Sequence, residues 1–92
     1  DVTLTYNSSP DKAEAVAADI NAAGGKARAM KADMQDRARV STLVTDVVKA
    51  RGRLDILVCN AGVAMFGSIE ETTERDYGHI FGTNVQALIT LC

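Results

Sequence analysis

The chain has 92 residues, with ten Lys and Arg against twelve Asp and Glu and a formal charge of −2. Forty-seven per cent of it is hydrophobic and 24% is charged, a globular balance that excludes a disordered tail. Near-neutrality argues against a basic nucleic-acid face, no apolar run reaches the ~20 residues of a bilayer span, and two cysteines are too few for a disulfide framework or a four-ligand zinc site. The length suits one small domain.

Residues 1–6 are β-rich and alternate, which predicts a strand. Asn7-Ser8-Ser9-Pro10 then reads as a turn, with Ser9 as N-cap and Pro10 at the first helical position. Ala13, Val16, Ala17 and Ile20 fall on one face of a helix that Gly24-Gly25 ends. A short, weakly apolar strand is expected over residues 26–32, closed by Asp33.

Asp36 is the expected N-cap of a second helix, with the stripe Val40, Leu43, Val44, Val47 and Val48. Gly52 stops it, and Lys49, Arg51 and Arg53 suit its negative dipole end. The run Ile56-Leu57-Val58 within 54–59 reads as a parallel strand covered on both faces. Asn60-Ala61-Gly62 turns the chain and residues 63–71 form a loop. A third helix, beginning near Thr73, carries the stripe Tyr77, Ile80, Phe81, Asn84, Val85, Leu88, Ile89 and Cys92. Strands and helices alternating in this way predict a parallel α/β sheet with right-handed crossovers.

Asn84 is the polar member of an apolar stripe and therefore points inward. It is either a satisfied core amide or a group holding water or a backbone kink beside an active site. Asn60-Ala61-Gly62 is either an ordinary turn or a place where small residues let a ligand approach the end of a parallel strand. Asp33 has the same two readings. No acidic residue stands near the end of the first strand until Asp11, so Tyr6-Asn7-Ser8-Ser9 is either a helix-capping turn alone or one whose hydroxyl and amide groups also accommodate a 2′-phosphate, with Lys12 as a counter-charge. His79 lies off the stripe and is expected to be exposed. Cys59 is expected to pack as a small hydrophobe, and the acids around residues 70–76 to form a solvated helix start.

Strand-Asn-Ala-Gly, an Asp closing the preceding strand and an inward Asn in the next helix together resemble the short-chain dehydrogenase/reductase family over all 92 residues. Tyr6-Asn7-Ser8-Ser9, Ala22-Ala23-Gly24-Gly25 and Gly52-Arg53-Leu54-Asp55 are most similar to its 3-oxoacyl-carrier-protein reductase and glucose dehydrogenase-like branch. The resemblance implies a Rossmann-like doubly wound parallel sheet, incomplete here, with only the second to fourth strands and their helices. Residues 1–92 would be an internal fragment of one NAD(P)-binding domain. The unblocked character of both ends agrees: the chain opens directly on a strand and closes inside an apolar periodic stretch.

The resemblance further implies site roles. Asp33 would hold the adenine amino group, and the backbone of Met34 would meet the ring. Asn60, Ala61 and Gly62 would line the adenosine ribose, and Asn7 and Ser8 would favour NADP(H) over NAD(H). Asn84 would be the Asn of the Asn-Ser-Tyr-Lys tetrad, kinking its helix and holding a water. Cys59 stands where the family usually has Asn. The glycine-rich turn, the Ser and the Tyr-x-x-x-Lys are not in this chain: Phe81 occupies the position four after Tyr77. The implied parent is a cytoplasmic homotetrameric reductase acting on a small carbonyl, such as a 3-oxoacyl thioester, with no nucleic-acid, membrane or metal partner. The fragment alone is expected to be inactive. A non-catalytic nucleotide-binding module of the same fold is the alternative.

Overall fold

The structure, a computed structural model, describes all of residues 1–92. The chain divides into two compact units, Asp1–Asp33 and Met34–Cys92.

In the first unit, β1 (Val2–Tyr6) pairs in parallel with β2 (Ala27–Lys31), and α1 (Pro10–Ala22) connects them. The register runs from Val2 opposite Ala27 to Tyr6 opposite Lys31. It is extended at one end by Val2 N–H on Lys26 O (2.7 Å) and at the other by Ala32 N–H on Tyr6 O (2.9 Å). Pro10 begins α1 as expected and Ser9 is its N-cap, but the Ser9 side chain makes no capping bond. Ala13 and Ala17 are buried, whereas Val16, expected on the same face, is half exposed. Small alanines let the helix sit close to the strands, and the wider Val is left at the margin.

Two adjacent glycines end α1 for different reasons. Gly24 has φ +87°, where any Cβ is strained. Gly25 lies so close to the last turn that a Cβ would stand 2.7 Å from Ile20 Cγ2. One turn back, Asn21 donates through Nδ2 to Ala27 O (3.0 Å) and accepts from Ala27 N–H (2.7 Å), so a side chain starts β2 by imitating a neighbouring strand.

In the second unit, α2 (Arg37–Arg51) begins and ends at the expected residues. Asp36 accepts from Arg39 N–H at 3.0 Å, and Gly52, at φ +87°, donates to Val48 O at 2.7 Å. Val40 and Leu43 are buried, and α2 packs against α4 (Ala87–Leu91). The expected third helix is present, but it has three parts: α3 (Glu74–Phe81), one π turn (Gly82–Gln86) and α4. A short 3₁₀ turn, Ile69–Glu71, interrupts the expected loop.

The expected strand at 54–59 does not form. The only sheet has two strands, and Ile56 and Val58 are each 77% exposed. Apolar, β-branched side chains specify that a segment wants to be a central strand, but the ladder needs the backbone groups of a neighbour. A doubly wound sheet of order 3-2-1-4, as the resemblance implies, would set this segment beside a strand other than β1 or β2, and neither of those two pairs with it.

Candidate functional site

The end of the two-stranded sheet gathers three of the expected site residues. Because β1 and β2 are parallel and in register, Asn7 and Ser8 leave β1 at the same edge where Asp33 leaves β2. Asn7 and Ser8 are exposed, and Asp33 is half-buried. The edge presents an amide, a hydroxyl and, one strand over, a carboxylate. Lys12 is exposed on the first turn of α1.

In the second unit, Asn84 makes the tightest polar arrangement. Its Oδ1 accepts from Val63 N–H at 2.8 Å, and its Nδ2 donates to Val63 O at 2.8 Å. One carboxamide thus pairs with both polar groups of a single residue, as a neighbouring strand would. Gly62 lies beneath it: a Cβ there would come within 3.4 Å of Asn84 Oδ1. A Cβ at that position would make ordinary van der Waals contact with the carboxamide. Asn60 and Ala61 are exposed in the same turn.

The bonding answers the inward-pointing Asn with a backbone-satisfied amide, and its setting is not an ordinary helix. Asn84 sits in the π turn, where Ala87 N–H reaches back five residues to Gly82 O. The wider turn displaces Asn84 from regular helical position, and π turns occur often at functional sites. After its two bonds to Val63 the carboxamide keeps one N–H and one lone pair.

His79 is not the exposed residue expected from its position off the stripe. It is half-buried, and its Nδ1 lies 2.6 Å from Gln35 Nε2, joining the segment after Met34 to α3. A groove of about 120 Å³ lies alongside, bordered by Met34, Gln35, Arg37, Gly78, Gly82 and Gln86. Met34 is half-buried at its edge. The sequence holds no local signal for this contact, since 44 positions separate the two side chains.

The acidic start of the third helix is solvated as expected, with one specific arrangement. Thr73 N–H and Oγ1 both donate to Asp76 Oδ2 (3.0 and 2.7 Å), and Asp76 N–H donates back to Thr73 Oγ1 (3.2 Å). These bonds, the side-chain one foremost, hold the Asp76 carboxyl below the usual range. Cys59 is half-buried; burial first, and then the neighbouring Cys92 thiol, push its own thiol up, which suits a packed sulfur better than a nucleophile. No group of three or more metal-ligating side chains exists in the chain, and no helix is long and apolar enough to cross a membrane.

The strand edge with Asn7, Ser8 and Asp33, and the Asn84-clasped turn after Asn-Ala-Gly, have a common explanation in one family. The short chain dehydrogenase family profile matches residues 1–92, and the chain belongs to that family. An uncharacterised oxidoreductase of Methylorubrum extorquens is 46% identical over 88 residues, covering 96% of this chain and 36% of that protein. A hydroxynaphthalene reductase of Aspergillus fumigatus is 37% identical, covering 94% of this chain and 32% of that protein. Among solved structures, a short chain dehydrogenase from Burkholderia cenocepacia in complex with NADP superposes with a TM-score of 0.95 at 42% identity, covering 99% of this chain and 37% of that one. The chain therefore spans about a third of the length of the relatives it matches.

Proposed function

We propose that this chain is the cofactor-side portion of a longer NADP(H)-dependent oxidoreductase that reduces a carbonyl to a secondary alcohol. The observation that carries the reading is the Asn84 carboxamide, held in a π turn and bonded to both backbone groups of Val63 directly after Asn60-Ala61-Gly62. An Asn that only needed satisfaction in a core would not require a distorted helix. A turn that must stay fixed beside a bound ligand benefits from both features.

The residues present fit an adenosine phosphate cofactor by their donor chemistry. Asn7 and Ser8 offer donors with no carboxylate directly beside them in sequence, which suits a 2′-phosphate, and Lys12 adds a positive charge. Asp33 would accept from the adenine amino group, and the Met34 backbone would meet the ring. Asn60, Ala61 and Gly62 keep side-chain bulk away from the ribose. When bound, the nicotinamide supplies a hydride to the carbonyl carbon. Asn84 acts as a positioning residue: it fixes Val63, and its remaining N–H and lone pair hold a water of the proton relay. The proton donor that the family resemblance implies, a Tyr followed four residues later by a Lys, is not among residues 1–92.

The preferred substrate is a 3-oxoacyl thioester. The reductase names of the relatives support the reaction class, and the hydroxynaphthalene reductase favours a polycyclic aromatic ketone as the second reading. A cytoplasmic location is inferred from the two free thiols, and a homotetramer from the exposed apolar ridge Tyr77, Phe81, Val85 and Ile89.

The test uses the full-length protein that carries this segment. NADPH should bind at least ~10-fold more tightly than NADH, as befits loss of a charge-assisted phosphate contact. Carbonyl-dependent NADPH oxidation should be measurable with one of the two substrate classes. Asn84→Ala should lower turnover and leave NADPH affinity nearly intact. Equal affinity for the two cofactors would refute the assignment of Asn7 and Ser8. NADPH binding without turnover on any carbonyl would favour the non-catalytic nucleotide-binding module.

A further inference from the structure

The chain has four asparagines, Asn7, Asn21, Asn60 and Asn84, and they stand in different settings. Asn21 and Asn84 each bond through both carboxamide atoms to both backbone groups of one residue, Ala27 and Val63 respectively. Asn60 is exposed and precedes Ala61, a residue with no polar side chain. Asn7 is exposed and precedes Ser8, in the bend between β1 and α1. That bend is anchored on either side: Tyr6 O accepts from Ala32 N–H at 2.9 Å, and Ser9 O accepts from Ala13 N–H at 3.3 Å. Between the anchors, neither the Asn7 carboxamide nor the Ser8 N–H has a hydrogen-bond partner. The Ser9 side chain makes no capping bond either. An amide and the backbone nitrogen that follows it are thus both exposed to water and free to approach each other.

We propose that Asn7 is a self-modification site, where the Ser8 backbone nitrogen closes on the Asn7 side chain and the amide becomes a carboxylate. Ser8 N attacks Asn7 Cγ. A new C–N bond forms, the bond from Cγ to Nδ2 breaks, and the side-chain nitrogen leaves as ammonia with the proton that Ser8 N gave up. Water then opens the cyclic imide at either carbonyl, leaving aspartate or isoaspartate. No electrons are transferred, and water is the one co-reactant. The Ser8 hydroxyl can donate to the oxygen that gains charge as the ring closes, a group that Ala61 does not offer to Asn60. Either product places a negative charge at the end of β1, on a stretch with no acidic residue before Asp11. The aged corner would repel the 2′-phosphate that the original amide accommodates, and a bound phosphate would in turn hold the amide and slow the closure. The modification stands independently of the cofactor reading; its effect on cofactor choice rests on that reading.

The experiment incubates the full-length protein in mildly alkaline buffer, with and without saturating NADPH, and follows each asparagine-containing peptide by mass spectrometry. Asn7→Gln, which cannot close the five-membered ring, and Asn7→Asp, which carries the product charge, run in parallel. Asn21 and Asn84 should convert at least ~10-fold more slowly than Asn7, because each must first give up its pair of hydrogen bonds. Asn60 should also lag behind Asn7. NADPH should slow conversion of Asn7 in proportion to the fraction of protein bound. The affinity for NADPH relative to NADH should fall at least ~10-fold in Asn7→Asp, and in the aged protein in proportion to the converted fraction. Asn7→Gln should keep its own ratio constant through the incubation. Conversion of Asn7 no faster than that of Asn60 or Asn84 would overturn the proposal. Conversion of Asn7 with no change in the affinity ratio would uphold the modification and overturn the cofactor role of this corner.

Discussion

Replacing Asn84 by Ala removes two hydrogen bonds at once and leaves both polar groups of Val63 without their partner. Each neutral bond contributes about 1 kcal/mol net, and a polar group left dry costs about 1–3 kcal/mol. Val63 is half-buried, so water can reach the vacated groups and the lower end applies, about 2 kcal/mol for the pair. Asn84→Leu fills the same space without admitting water and should cost more, about 4 kcal/mol. The assay is amide hydrogen exchange at Val63 in the full-length protein. A loss of 2 kcal/mol corresponds to roughly 30-fold faster exchange at that amide. Asn84→Asp separates the two bonds: a carboxylate still accepts from Val63 N–H but cannot donate to Val63 O, so the protein is destabilised while the Val63 amide stays protected. Unchanged Val63 exchange in the Ala variant would refute the clasp as the element holding this turn.

Val40 is 2% exposed under the α2–α4 contact, so Val40→Ala should cost about 2 kcal/mol, read as a lower urea midpoint at constant slope. Gly52→Ala, forced to φ +87° with open space around it, should cost about 1 kcal/mol through backbone strain alone, and Gly52→Asn less, by the same denaturation measurement. Because the folded Asp76 carboxyl titrates below its unfolded value, its contribution to stability is fully present above the ordinary Asp range and is lost as pH falls through the lowered folded value. An NMR titration should show Asp76 titrating below exposed Asp residues, and Thr73→Ala, which removes the hydroxyl bond but keeps the backbone N–H bond, should move it part of the way back toward their range. The 92-residue chain made alone, with Ile56 and Val58 bare, should show neither cooperative thermal unfolding nor NADPH binding; finding both would refute the need for a further strand beside this segment.

Helix limits were legible because their signals are local. Asp36, Gly52, Pro10 and Thr73 each act within a few residues of themselves, and each stands at the helix end its chemistry predicts. The Ser9 hydroxyl is a milder case: its position was readable, but whether it bonds depends on the backbone angles there. The run Ile56-Leu57-Val58 reports an environment, and only other chain can supply it, so strand character was readable where strand formation was not. Asn84 announced itself as a buried amide in an apolar stripe. Its partner could not be read off, because a carboxamide meets Val63 only after the chain has folded back 21 positions. The Gln35–His79 contact spans 44 positions and was unreadable for the same reason, whereas Asn21 meets Ala27 only six positions on, through the turn that Gly24 and Gly25 make.

The π turn also sets the phase of everything that follows it. Carrying one residue more than a regular turn, it offsets α4 from α3 by roughly 100° about the shared axis. Deleting any single residue in Gly82–Gln86 would relax the helix to ordinary geometry and rotate the rest by that amount. Ala87, now buried, would swing toward solvent together with half-buried Leu88 and Leu91. This segment should therefore tolerate substitution far better than a change of length, and a one-residue gap there would be more damaging than most changes of side chain.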